Sequence, residues 1–179
     1  AFELPSLERF GTRRRAMYFP GSTIGNFDPD EAVAFLVRLA KLAGAGGGLI
    51  IGVDLRKDKA MLEAAYDDPP GVTAAFNLNL LARINRELEA DFDLRQFRHR
   101  AVYSEVRGRV EMHLESLRDQ VVHIGSTTIS FRSGETIHTE NSYKYSVPEF
   151  QALAACAGFT ARRCWVDDGE LFSIHYMEC

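Results

Sequence analysis

Phe19-Pro20-Gly21-Ser22-Thr23-Ile24-Gly25-Asn26-Phe27 ends a short apolar run, Ala16-Met17-Tyr18-Phe19, and leads into Asp28-Pro29-Asp30-Glu31, which reads as a helix start. The order is strand, polar glycine-bearing loop, helix. In open α/β sheets ligands collect at the carboxyl ends of strands, where such loops lie. Glycine lets the backbone approach a ligand closely, and Ser22, Thr23 and Asn26 offer short hydrogen-bonding groups. Working outward, Ala32, Phe35, Leu36, Leu39, Leu42 and Ala43 recur at helical spacing, and Gly44 to Gly48 stop the helix. Leu49-Ile50-Ile51-Gly52-Val53 then reads as a buried parallel strand ending at Asp54, which closes one right-handed βαβ unit. The glycine cluster is no nucleotide fingerprint: it ends a helix and precedes a strand, the reverse of a phosphate-binding turn.

The 179 residues, 46% of them hydrophobic, suffice for a compact fold with a real core. A net charge of -4 argues against a nucleic-acid surface, and Arg13-Arg14-Arg15 is too short to reverse it; we read it as the solvated approach to a strand. No apolar run is long enough to cross a bilayer. Cys156, Cys164 and Cys179 lack paired spacing and read as reduced thiols of a cytoplasmic protein. The chain opens without Met and runs almost at once into a strand, so we expect the later part of a longer polypeptide.

Further along, helices are expected over 58–66 and 72–88, the second with Phe76, Leu80, Ile84 and Leu88 on its apolar stripe. Segments 99–106, 109–117, 121–124 and 127–131 read as consecutive strands, an inserted antiparallel lid or side wall, and 135–145 as another extended stretch. A helix over 147–157 and a hairpin around Asp167-Asp168-Gly169 finish the chain. The expected class is α/β: the later part of a Rossmann-like sheet, whose closing helix and terminal antiparallel hairpin resemble the way class I methyltransferases finish theirs, with an inserted antiparallel β and helical substructure. We place boundaries at 1–66, 67–145 and 146–179.

Six phrases occur in order: FPGSTIGNF at 19–27, GVDLRKD at 52–58, AYDD at 65–68, GVTAAFNLNLLARINREL at 71–88, RVEMHL at 109–114 and GETIHTENSYKY at 134–145. Together they resemble the S-adenosylmethionine-dependent L-histidine Nα-methyltransferases of ergothioneine biosynthesis. The resemblance implies S-adenosylmethionine as cofactor, histidine as a small-molecule substrate, and methyl transfer to its α-amine to give trimethylhistidine. No metal is required, and neither a nucleic acid nor a membrane is implied as a partner. In that family the glycine-rich cofactor loop, the acidic ribose ligand and two active-site tyrosines precede the point matching Ala1. The N-terminal remainder of the same protein is therefore the expected partner, and these 179 residues alone are expected to be inactive. Two other readings stay open: a non-catalytic methyltransferase-like binding module, and an N-methyltransferase for another amino acid.

Carried over residue by residue, the resemblance implies that Asn26 and Tyr66 bind the substrate carboxylate, as amide and phenol donors can. Pattern alone allows Asn26 to be a turn or capping residue and Tyr66 a half-buried core tyrosine. Glu140 and Ser142 match the groups that grip the imidazole. Two apart on a strand, their side chains share a face roughly 6–7 Å apart and can converge on one ring. A site satisfying both ring nitrogens rejects side chains that lack them. Met112 shares a face with Val110 and Leu114 and forms an apolar wall or plain core packing. Gly21 and Ser22 are assigned to the cofactor's methionyl end. The five histidines show no metal spacing; His138 shares the expected face of Glu140.

Overall fold

In the computed structural model, residues 14–179 are described. Arg13 of the basic triplet lies outside them. Two compact units emerge, one built from the chain up to Arg56 together with Tyr143–Cys179, the other from Lys57–Ser142.

The first unit carries a four-stranded sheet in the order β1-β2-β9-β8. Strand β1 (Ala16–Phe19) pairs parallel with β2 (Gly48–Asp54), and β2 pairs antiparallel with β9 (Phe172–Glu178). The outer strand β8 (Thr160–Val166) pairs antiparallel with β9. The expected strand–helix–strand unit and terminal hairpin are thus present, with β9 lying between β2 and β8. Helix α1 (Pro29–Ala43) starts with proline in its first turn and a capping box in which Glu31 accepts the Asp28 N–H at 3.1 Å. Its buried stripe is Ala32, Phe35, Leu36, Leu39 and Ala43. Helix α4 (Val147–Cys156) opens with a second capping box, Ser146 and Glu149, and buries Phe150 and Ala154. Both helices join Leu49, Ile51, Val53 and Met177 in one apolar core, so they cover the same sheet face. Basic residues before β1 act as latches: Arg14 bonds Gly46 O and pairs with Glu178 at 2.7 Å, and Arg15 bonds Leu42 O.

The second unit holds helices α2 (Lys59–Tyr66) and α3 (Val72–Leu88) against strands β3 (Phe97–Ser104), β4 (Arg109–Ser116) and β7 (Thr136–Tyr143), in the order β3-β4-β7. Strand β7 runs one residue past the unit. A separate hairpin joins β5 (Gln120–Ile124) and β6 (Thr127–Phe131). The span of α3 matches expectation, but its stripe is turned. Phe76, Leu80 and Leu88 are exposed, at 67%, 39% and 56%, while Asn77 and Leu81 are buried. Ile84 of the expected stripe does pack against the core, and the inward side also carries two hydrogen-bonded asparagines, Asn77 buried and Asn85 half-buried. Asn77 bonds His99 and the His113 carbonyl, and Asn85 both donates to and accepts from the Phe92 backbone. A hydrogen-bonded amide can occupy a buried position that hydrophobicity assigns to a leucine.

Gly52 is fixed by close approach. A Cβ there would meet Phe172 Cζ at 2.7 Å and the Gly21 nitrogen at 3.3 Å. Gly52→Ala is expected to lower stability by about 1–3 kcal/mol through overpacking, with part of it restored by adding Phe172→Leu, as read from urea midpoints.

His175 gives a second test. It is fully buried on β9, shares a 2.9 Å hydrogen bond with Ser173, and burial pushes its pKa from 6.5 down to about 4. The unfolded chain takes up this proton near its ordinary value, whereas the folded chain resists it until about pH 4. Its contribution to stability is therefore complete above the ordinary value and is lost as pH falls through that window. The loss amounts to about 3 kcal/mol at most. Between about pH 7 and about pH 5, the unfolding free energy of His175→Leu should fall less than that of wild type, by urea titration.

Candidate functional site

In the first unit, the loop after β1 is pinned from beneath. Ile24, fully buried, and Phe27, stacked on Phe35 with centroids 5.2 Å apart, anchor a single 3-10 turn over Thr23–Asn26. Between these anchors Asn26 is exposed. Gly21 and Ser22 both have positive φ, 77° and 57°, and nothing lies within 4 Å of where a Gly21 Cβ would stand. The backbone at Gly21 is therefore open to close approach. The Ser22 hydroxyl is used within the protein: it accepts the Asp54 N–H at 2.8 Å and ties the loop to the end of β2. Sequence gave no sign of that tie.

Asp54 also meets Lys144. The ammonium, 1% exposed, stands 2.6 Å from the Asp54 carboxylate. A buried charge needs such a partner, and removing one member leaves the other stranded. The next side chain back, Tyr143, donates to Asp28 at 2.8 Å, where α1 begins.

In the second unit, Tyr66 and Ser142 meet although 76 residues apart: their hydroxyls share a 2.7 Å hydrogen bond. Tyr66 closes α2, and Asp68 starts α3 by accepting the Val72 and Thr73 N–H groups. The Thr73 side chain and these amides hold the Asp68 carboxyl down at about 2. His99 is a functional candidate that sequence reading missed. Its Nε2 lies 2.7 Å from the Tyr66 carbonyl, which can only accept, so Nε2 carries the proton. Nδ1 then accepts from Asn77 at 2.9 Å. One relay runs from α3 through β3 to the end of α2 and holds the Tyr66 backbone. No short motif announces it, because its members come from three elements.

Glu140 opens on a cavity of about 240 Å³, lined also by Phe76, Asn77, Asn79, Leu80, Arg83 and Thr139. Asn77 belongs to both the cavity wall and the relay. Met112 is buried at 4% exposure, on the β4 face between Val110 and Leu114, and its carbonyl accepts from Thr139.

Strand β7 does not alternate regularly. His138 stacks on His113, at centroids 4.7 Å apart, on the face of β4 opposite Met112. Ser142, four residues on, bonds Tyr66, which packs with Val110 on the Met112 face. Consecutive Thr139 and Glu140 both line the cavity. The alternation is therefore broken between His138 and Ser142. His138 and Ser142 thus lie on opposite faces, and Glu140 opens on the cavity. Glu111, His113 and His138 bring ligand-type atoms within 4.8 Å of one another, a grouping that linear spacing concealed.

Residues 2–179 match the family described as "Histidine-specific methyltransferase, SAM-dependent". The chain belongs to this family. Its members are enzymes that use S-adenosylmethionine, and the described residues have the α/β class expected from sequence. The chain is 45% identical over 163 residues to the histidine N-alpha-methyltransferase of Mycobacterium tuberculosis, covering 90% of this chain and 51% of that protein. With ergothioneine biosynthesis protein 1 of Schizosaccharomyces pombe it shares 32% identity over 84% of this chain and 20% of the other. A solved S-adenosylmethionine-dependent methyltransferase from Clostridium acetobutylicum superposes with a TM-score of 0.47 at 9% identity, over 92% of this chain and 58% of that one. The chain thus spans about half the length of its bacterial relative. No helix among the described residues is long and apolar enough to cross a membrane.

His99→Phe removes the relay and leaves both the Asn77 amide and the Tyr66 carbonyl without their partner. A loss of about 1–3 kcal/mol is expected. His99→Gln, which keeps a donor, should recover part of it, with both read from thermal melts.

Proposed function

We propose that the protein of which this chain forms part transfers methyl groups to the α-amine of L-histidine. Family membership over residues 2–179 supports the chemistry. The observation that carries the substrate assignment is the 2.7 Å meeting of Tyr66 and Ser142 on the strand that brings Glu140 to the cavity. In this reading Glu140 accepts the imidazole N–H, and Ser142 bonds the other ring nitrogen. Tyr66 donates to the substrate carboxylate, with Asn26 as a further donor. Met112 supplies an apolar wall to the ring. S-adenosylmethionine, when bound, supplies a methyl group on a sulfonium; Gly21 offers it open backbone, and Ser22 holds that backbone in place. The residues of this chain contribute mainly alignment of the amine, a proximity and orientation effect.

The proposal extends to three successive methyl transfers and to a role in making ergothioneine, as the name of the yeast relative suggests. A cytoplasmic setting is part of it, supported by three cysteines in the free thiol form. The remainder of the polypeptide supplies the other side of the cofactor site.

Glu140→Ala in the full-length protein should lower kcat/KM for histidine about 10- to 100-fold, the cost of one charge-assisted hydrogen bond. Cofactor affinity, by calorimetry, should stay within about twofold. Unchanged histidine methylation would remove Glu140 from the imidazole site. Cofactor binding without any methylation of histidine by wild type would favour the binding-module reading, and preference for another amino acid would move the substrate.

A further inference from the structure

The β4 face opposite Met112 carries a cluster that methyl transfer does not use. Glu111 and His113 stand two residues apart on β4, and His138 reaches them from β7; one ligand-type atom from each lies within 4.8 Å of the others. The side chains of Glu111 and His113 are 18% and 17% exposed, so they are largely shielded while His138 remains open to solvent.

Four details of geometry suit an ion. His113 Nε2 lies 3.4 Å from Glu111 Oε2, long for a charge-assisted hydrogen bond. Two ligands each about 2.1 Å from one zinc ion at a tetrahedral angle stand about 3.4 Å apart. His113 Nδ1 is buried and has no hydrogen-bond partner, and the Nε2 of that ring faces Glu111. His138 is prepared from behind: its Nε2 lies 3.2 Å from the Glu140 carbonyl, an acceptor, so the proton sits there and Nδ1 keeps its lone pair. Metal-ligating histidines are commonly oriented by such a bond to a backbone carbonyl. Glu111 is oriented likewise, because Arg109, with a side chain 7% exposed, holds its Oε1 at 2.7 Å and leaves Oε2 toward His113.

We propose that Glu111, His113 and His138 bind a divalent first-row transition-metal ion. Two imidazoles and one carboxylate suit zinc, with water in the fourth position. Such an ion ties β7 to β4 where the alternation of β7 breaks. The inference stands on this cluster alone and is independent of the substrate reading.

The test uses the full-length protein, untagged, freed of metal and kept reduced, and titrated with Zn2+ against a chromophoric chelator. Wild type should bind one ion per chain, His138→Asn should bind more than about tenfold more weakly, and the double variant His113→Ala/His138→Asn should not bind. His123→Ala, on the separate hairpin, should match wild type. Zn2+ should raise the melting temperature of wild type and leave the double variant unmoved. Since His138 is exposed, its single substitution keeps the test valid should His113→Ala fail to fold. Equal binding by wild type and His138→Asn, or no binding by wild type, overturns the proposal.

Discussion

Asp54 is where the first unit is tied together. Its carboxylate neutralises a fully enclosed lysine ammonium, its N–H is taken by Ser22, and its carbonyl accepts the Tyr145 N–H at 3.3 Å. The loop after β1, the end of β2 and the chain that follows β7 are therefore fixed by one residue. The arrangement is demanding, because the lysine can be buried only while its counter-charge is present. The loop that presents Gly21 and Asn26 inherits its position from this requirement.

Much of the fold could be read from the chain because local chemistry agreed with it. Asp28 with Pro29 and Glu31, and Ser146 with Pro148 and Glu149, are helix starts that need no tertiary information. The apolar run at 49–53 announced a strand, and Asp167 closes the last turn by accepting N–H groups from Gly169, Leu171 and Phe172. What escaped the sequence was the burial of polar groups. Asn77, His99 and Lys144 are enclosed because partners distant in the chain satisfy them, and hydrophobic periodicity does not register such pairs. The stripe of α3 was misplaced for that reason alone. Its period was legible and its phase was not.

The candidate site shows the same division. Glu140 and Ser142 were placed together by the two-residue repeat of a strand; Ser142 meets Tyr66, and Glu140 opens on the cavity. His138 was placed with them by the same rule, and the broken alternation of β7 sends it to the side opposite Ser142, against His113. A rule that holds across a regular strand fails across an irregular one, and no residue type in HTENS marks the irregularity. The relay from Asn77 through His99 to Tyr66 was equally hidden, being assembled from α3, β3 and α2.

The division of the chain has a consequence for biosynthesis. The second unit is contiguous, Lys57–Ser142, whereas the first is split around it. Strand β2 finds its antiparallel neighbour only at the far end of the chain; 120 residues separate Ser173 from Val53, whose carbonyl it bonds. A ribosome delivers the contiguous unit whole while β2 still lacks β9. Long-range pairing of this sort is slow and leaves a strand edge exposed in the interval. The nascent chain thus passes through a stage in which β2 awaits a neighbour made 120 residues later.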